Sequence, residues 1–132
     1  MGLREILERN PNLTLDDLQE FQREYDSRFV DQKFDTSLQK VEHIFAHMGK
    51  LIGRLADYVE AMEEGKKVSD EDIKTKVIPD LLVYSAWLAK EFGINIERAY
   101  LTRMVENLKR LYSGKISPRE ILSLEENIKK RE

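Results

Sequence analysis

A chain of 132 residues is long enough to form a hydrophobic core, and we expect residues 1–132 to fold as one domain. Charged residues make up 36% of the chain but the net charge is only −3, which argues against nucleic acid as a partner. The absence of cysteine excludes disulfides, cysteine–zinc sites and a thiol nucleophile. No signal peptide is recognisable and no apolar run is long enough to span a membrane, so we expect a cytoplasmic protein without a membrane partner.

The first predicted long helix begins near Thr14. Thr14 and Asp17 form a capping pattern, and apolar residues recur at helical spacing from Leu15 to Phe29. The residues before it allow a short helix that Pro11 ends. The segment VDQKFDTS, residues 30–37, is typical of a loop, with Ser37 as the cap of the next helix.

That next helix is predicted from Leu38 to Glu64, ending at Gly65, and it carries three stripes. The apolar stripe, expected in the core, is Val41, Ile44, Phe45, Met48, Leu51, Ile52, Leu55, Val59 and Met62. The small stripe is Ala46, Gly49, Gly53 and Ala56. The polar stripe is His43, His47, Lys50, Arg54 and Asp57. Glycine inside a helix is unfavourable by about 0.5–1 kcal/mol relative to alanine, so two glycines on one face require a packing reason, from a second helix or from a ligand.

The C-terminal half is also helical. Ser69 is a predicted cap, and Pro79 either kinks one long helix or begins a new one. Gly93 and Asn95 mark a stop and a restart, and Ser117 caps a last helix that begins with proline. No segment alternates with the period of a strand, so the chain is predicted to be all-α, with four principal helices and room for short terminal ones.

Two segments resemble the MazG-like proteins, which are all-α nucleoside triphosphate pyrophosphohydrolases. AHMGKLIGRLADYVEA, residues 46–61, is similar to the first motif segment of that family. VIPDLLVYSAWLAKEFGINIERAYLTRMVENLKR, residues 77–110, is similar to its second half. The resemblance implies a MazG-like helical bundle that assembles as a homodimer or tetramer. It also implies a magnesium site built from two pairs of carboxylates on facing helices, because such pairs form a cage of hard oxygen ligands.

The motif positions in this chain carry other residues. The four carboxylate positions fall on His47, Lys50, Val77 and Asp80, so Asp80 is the single predicted metal ligand that remains. The positions that bind phosphate or nucleotide in the family fall on Arg103, Asn107 and Arg110, which together with Lys50 are the predicted substrate-binding residues. One carboxylate is too few for magnesium held in the family's manner, and an ammonium at Lys50 repels a cation. We therefore expect no cofactor, or Mg²⁺ if the chain is active.

Two hypotheses concern the remaining polar residues. Lys50 is expected to form an ion pair with Asp80 and to replace the missing metal. His43 and His47, spaced i, i+4, either join Asp80 in a transition-metal site or are polar residues on a charged helix face.

The leading functional prediction is a non-catalytic relative, a structural or regulatory oligomer that retains nucleotide or phosphate binding. The alternative is an active pyrophosphohydrolase with a rearranged metal site. A third reading is a helical interaction module with an unrelated partner, which would expose an apolar patch.

Overall fold

The computed structural model describes residues 2–9 and 12–131, and its fold is an all-α helical bundle, as predicted. The helices are α1 (Leu3–Arg9), α2 (Leu15–Phe29), α3 (Ser37–Glu63), α4 (Ile78–Glu91), α5 (Ile96–Leu111) and α6 (Pro118–Lys129). A 3₁₀ turn, Asp31–Lys33, follows α2, and a π-helical segment, Ile73–Val77, leads into α4. None of the helices within the described residues combines the length and apolarity needed to cross a membrane. The predicted stop at Pro11 lies outside the described residues.

Three of the five predicted helix caps, Thr14, Asn95 and Ser117, are confirmed. Ser69 lies two residues before the first helical residue, Glu71, whose amide donates to the Ser69 hydroxyl at 3.1 Å. Thr14 and Asp17 form a reciprocal capping box at the start of α2, and the side chains of Asn95 and Ser117 accept backbone hydrogen bonds at the starts of α5 and α6. At α3 the cap is Thr36 and not Ser37. The Ser37 hydroxyl instead donates to Glu91 Oε1 at 2.8 Å, so it joins α3 to the end of α4.

The π-helical segment resolves the two readings of Pro79. The chain stays helical from this segment into α4, and the amide of Ile78 donates to the carbonyl of Ile73, five residues back. Proline removes a backbone donor and crowds the preceding turn, and a wider π turn is one way for a helix to accommodate it. Pro79 therefore lies in the first turn of α4, within a continuous helical path.

The helices pack as two connected groups. α4 contacts both α3 and α2, whereas α5 packs on α6 and α2. Gln19 of α2 is buried and fixes the start of α5, because its side-chain amide donates to the carbonyl of Ile94 at 2.9 Å and accepts from the amide of Ile96 at 2.8 Å. Ile44 and Leu51 fill the inward side of α3. α4 thus lies at the centre of the packing, between α2 and α3, and it contributes the buried residues Ala86, Trp87 and Ala89.

Candidate functional site

The packing of α3 on α4 places the histidines against aromatic rings. The His47 ring stacks on Tyr84, with centroids 5.2 Å apart and 11° between the planes. The His43 ring lies 5.7 Å from Trp87, 5.1 Å from Phe34 and 4.2 Å from His47. Because His47 faces Tyr84 and His43 faces Trp87, the two helices run antiparallel. The two histidines are therefore half-buried in an aromatic cluster and are not part of an open charged face.

The same register brings Lys50 level with Asp80, but the expected ion pair does not form. Neither residue, both being among those described, has an ion-pair partner. Lys50 is exposed, while Asp80 is half-buried in the first turn of α4. The ion pair on this side is Arg54 with Asp72, which lies just before the π-helical segment, and Arg54 Nε donates to Asp72 Oδ2 at 3.1 Å. That pair joins α3 to the chain leading into α4.

Burial and nearby charge shift the pKa of two residues in the aromatic cluster. Burial lowers the pKa of His43, and His47, Lys33 and Lys50 lower it further, so that the neutral imidazole is favoured over the charged form. Burial raises the pKa of Tyr84, and the charge of Asp80 adds to this effect. Both shifts oppose ionisation, so the cluster behaves as a packed apolar surface with polar edges.

The residues present do not fit the magnesium site that the resemblance implies. Val77 occupies one carboxylate position and is completely buried, with 0% exposure. Across residues 2–9 and 12–131, no three His, Asp or Glu side chains come together in an arrangement that could hold a metal ion. His43 and His47 are adjacent but Asp80 does not complete a group of three with them. No reaction step through a metal follows from this arrangement.

The predicted phosphate-binding residues of α5 are engaged with one another or with a neighbour. Arg103 donates to Glu106 at 3.0 Å, and Arg110 donates to Asn107 at 3.4 Å, both at the surface. Lys50 lies on α3, and no hydrogen bond or ion pair links it to these three residues of the described chain. Anion binding by Lys50, Arg103, Asn107 and Arg110 therefore stays a prediction that α5 would have to carry largely by itself.

A charged network at the end of α4 was not predicted from the sequence. Asp31 Oδ1 accepts from Trp87 Nε1 at 3.2 Å, and its Oδ2 accepts from Lys90. Lys40 lies 3.7 Å from Asp31 and 3.9 Å from Glu91. Each carboxylate thus has a nearby ammonium, which is the condition under which partly buried charges are tolerated. The network joins the 3₁₀ turn, α3 and α4, and its composition is that of a structural junction.

Asp26 lies close to this network but is not satisfied by it. It is 2% exposed, its Oδ1 accepts from Gln22 at 2.9 Å, and its Oδ2 has no partner among the described residues. Burial raises the pKa of Asp26 to about 6, although the hydrogen bond from Gln22 opposes the rise. The charges of Asp31 and Glu91 contribute further to the increase. The folded protein therefore holds this proton to a higher pH than the unfolded chain does, and the carboxyl is ionised above about pH 6 at a cost in stability.

An apolar cavity of about 240 Å³ lies between α2, α4 and the start of α5. Its walls are apolar apart from two glutamines, and no titratable side chain lines it. The cavity walls therefore present no side chain that could act as a general acid or a general base.

The side of α3 that faces away from α4 exposes a line of large apolar residues, and Glu42, Glu60 and Glu63 share that side. Phe45 is 79% exposed and Leu38 is 66% exposed, and Ile52 and Val59 continue this line at seven-residue steps. A parallel line of small residues runs beside it, formed by Ala46, Gly49, Gly53 and Ala56. We call these two lines the outward face of α3. The prediction of one core stripe was wrong for Phe45, Ile52, Val59 and Met62, since the apolar residues of this helix span two faces and α4 covers only one.

The two glycines of the outward face have no packing reason within one chain. A Cβ atom placed on Gly49 or on Gly53 would meet nothing within 4 Å. Each glycine nevertheless weakens the helix by about 0.5–1 kcal/mol relative to alanine. The outward face thus combines two destabilising residues with an uncovered apolar surface.

Comparison of the chain with family models, with curated proteins and with solved structures gave no match. The resemblance to the MazG-like proteins accordingly rests on the two motif segments alone.

Proposed function

We propose that this protein is a non-catalytic, self-associating helical protein that acts as a structural or regulatory oligomer. The observation that carries the proposal is the outward face of α3. From the exposed fractions of its four large residues, this face leaves roughly 500 Å² of apolar surface uncovered. That area is at the upper end of what monomeric proteins usually expose in one patch. A degenerate relative of the MazG-like proteins, which assemble as dimers or tetramers, accounts for this face and for the altered carboxylate positions together.

The chemistry of the described residues supports a non-catalytic role. Three of the four inherited carboxylate positions hold His47, Lys50 and Val77, and the last of these is sealed in the core. We further propose that the protein acts in the cytoplasm, because a chain without cysteine makes no use of an oxidising compartment.

The assembly test is the mass of the protein in solution, measured by sedimentation equilibrium over the micromolar range. We expect a dimer or tetramer for the unaltered chain. Phe45→Glu should raise the dissociation constant tenfold or more, since burying one phenylalanine is worth about 1.5–3 kcal/mol. Leu122→Glu is the matched control: it makes the same kind of change at an exposed position of α6 and should leave the mass unchanged. A monomer at all concentrations would refute the proposal.

Retained anion binding is tested separately. Calorimetric titration with pyrophosphate and with nucleoside triphosphates should give heat that Arg103→Ala or Arg110→Ala reduces, while Arg4→Ala, a change in α1, has no effect. A panel of nucleotides with Mg²⁺ or Mn²⁺ should release no pyrophosphate. Metal-dependent release that Asp80→Ala abolishes would establish the alternative, an active enzyme with a rearranged site.

A further inference from the structure

The outward face of α3 has the shape of a surface that complements itself. At 100° per residue, the line of large residues and the line of small residues lie side by side along the helix. A twofold interface brings the same patch of both copies together, so that each residue away from the axis meets a different residue of the other copy. Large side chains of one copy can then fill the space that small residues leave on the other.

We propose that two copies of this chain pair through α3 in an antiparallel arrangement, with Gly49 of both copies at the twofold axis. This inference rests on the proposed self-association and specifies its geometry. The partner is a second copy of this chain, and the surface is the outward face.

Position 49 is favoured as the axis by overlap and by size. α3 has 27 residues, Ser37–Glu63, so a crossing near its middle lets the two helices overlap along almost their whole length. Gly49 is the residue of the outward face closest to that midpoint, and the absence of a side chain allows the backbones to approach to about 8 Å between axes. With this axis, Phe45 lies opposite Gly53 of the second copy and Ile52 lies opposite Ala46. Each of these two large side chains therefore faces a small one.

The charges of α3 favour the antiparallel direction. Its first turn contains no acidic residue and its last turn contains no basic residue, so neither end of its dipole is compensated by its own side chains. Glu60 and Glu63 lie near the C-terminal end. An antiparallel partner brings these carboxylates beside the positive N-terminal end of the neighbouring helix. A parallel partner would instead place each glutamate beside the same glutamate of the second copy, and like charges repel.

The surface area reaches the lower limit for a specific pair. Joining two outward faces buries roughly 1,000 Å² of apolar side chain in total, which reaches the size at which specific interfaces begin. The small residues and the adjoining backbone add to that area, and Gly49 and Gly53 gain the packing partner that a single chain does not provide.

Disulfide crosslinking tests both direction and register, because the natural chain contains no cysteine. Three variants are made, Leu38→Cys, Glu60→Cys and Glu63→Cys, all at the rim of the face so that its centre is unaltered. Each is oxidised alone, and Leu38→Cys is also co-refolded with each of the other two before oxidation. Products are followed by non-reducing electrophoresis and mass spectrometry.

In the antiparallel pair, identical positions 38 or 60 are separated by about 33 Å along the helix, far beyond the roughly 7 Å that a disulfide allows. We expect no crosslink from any single variant. The mixture of positions 38 and 60 should crosslink, with a yield approaching the statistical share of mixed dimers. The mixture of positions 38 and 63, three residues out of register, should crosslink severalfold more slowly.

The outcomes separate this inference from the one on which it rests. Crosslinking of the single variants, together with a dimeric mass of the unaltered chain, would overturn the antiparallel direction and leave self-association standing. A dimeric mass with no crosslink from any sample would overturn pairing through α3. A monomeric mass of the unaltered chain would overturn both.

Discussion

Replacing the buried Asp26 with asparagine should stabilise the protein at neutral pH. The carboxyl is 2% exposed and its Oδ2 has no partner among the described residues, so its ionised form is unfavourable. Its pKa is about 6 in the folded chain, against 3.8 for an unperturbed aspartate. That difference corresponds to about 3 kcal/mol. Asparagine keeps the shape and the hydrogen bond from Gln22 while removing the charge.

The direction of this pH dependence follows from the fact that the folded chain binds the Asp26 proton more tightly than the unfolded chain does. Below pH 3.8 the carboxyl is protonated in both folded and unfolded chains, and ionisation has no effect on stability. As the pH rises from there through about 6, the unfolded chain releases its proton first, and the wild type loses stability. Above that range the wild type has lost the full free energy that corresponds to the pKa difference of Asp26. The advantage of Asp26→Asn should therefore grow with pH to a plateau of up to about 3 kcal/mol.

The assay is urea unfolding followed by circular dichroism at a fixed protein concentration, from pH 4 to pH 8. The difference in unfolding free energy between variant and wild type isolates Asp26 from the other titrating groups. Asp57→Asn makes the same chemical change at an exposed position and should leave the pH dependence of the wild type unaltered. A difference for Asp26→Asn that stays constant with pH, or that falls as pH rises, would refute the reasoning.

Three further predictions concern other contacts. Gln19→Ala should lower the unfolding free energy, measured by urea titration, by about 2–4 kcal/mol, because it leaves two backbone groups at the start of α5 without partners. A loss below about 1 kcal/mol would show that water replaces the glutamine. Arg54→Ala should lower it by less than about 1 kcal/mol, since this ion pair is exposed, and a larger loss would mean that the pair holds the π-helical segment in place. The double change Gly49→Ala and Gly53→Ala should weaken self-association, measured by sedimentation. In the monomer it should stabilise α3 by about 0.5–1 kcal/mol per site. Unchanged association would show that the glycines lie outside the interface.

Local signals in the sequence were sufficient for most of the helix boundaries. Thr14, Asn95 and Ser117 each cap a helix through a side chain that bonds three residues ahead, so a window of a few residues contains all the information. The start of α3 was misplaced by one residue because Thr36 and Ser37 are both competent caps. The choice depends on Glu91, a residue distant in sequence that takes the Ser37 hydroxyl as a donor.

The candidate site was less predictable because the residues that contact one another there are far apart in the sequence. Periodicity placed Phe45 on an apolar stripe correctly, but it does not state which of two apolar faces meets α4. Lys50 and Asp80 lie at the same level of α3 and α4, as expected, but no ion pair forms between them. Asp31 appeared to be a loop residue, since its partners Trp87 and Lys90 are more than fifty positions away and no spacing rule connects them.

The position of Trp87 gives the unmodified protein an optical reporter. It is the single tryptophan of the chain, it is 3% exposed, and its indole nitrogen bonds to Asp31. Its fluorescence therefore reports on the junction of the 3₁₀ turn, α3 and α4. The outward face lies on the opposite side of α3, so separation of two copies should leave the emission spectrum nearly constant while loss of tertiary structure shifts it to the red. Folding and assembly can thus be followed independently in one sample without a label.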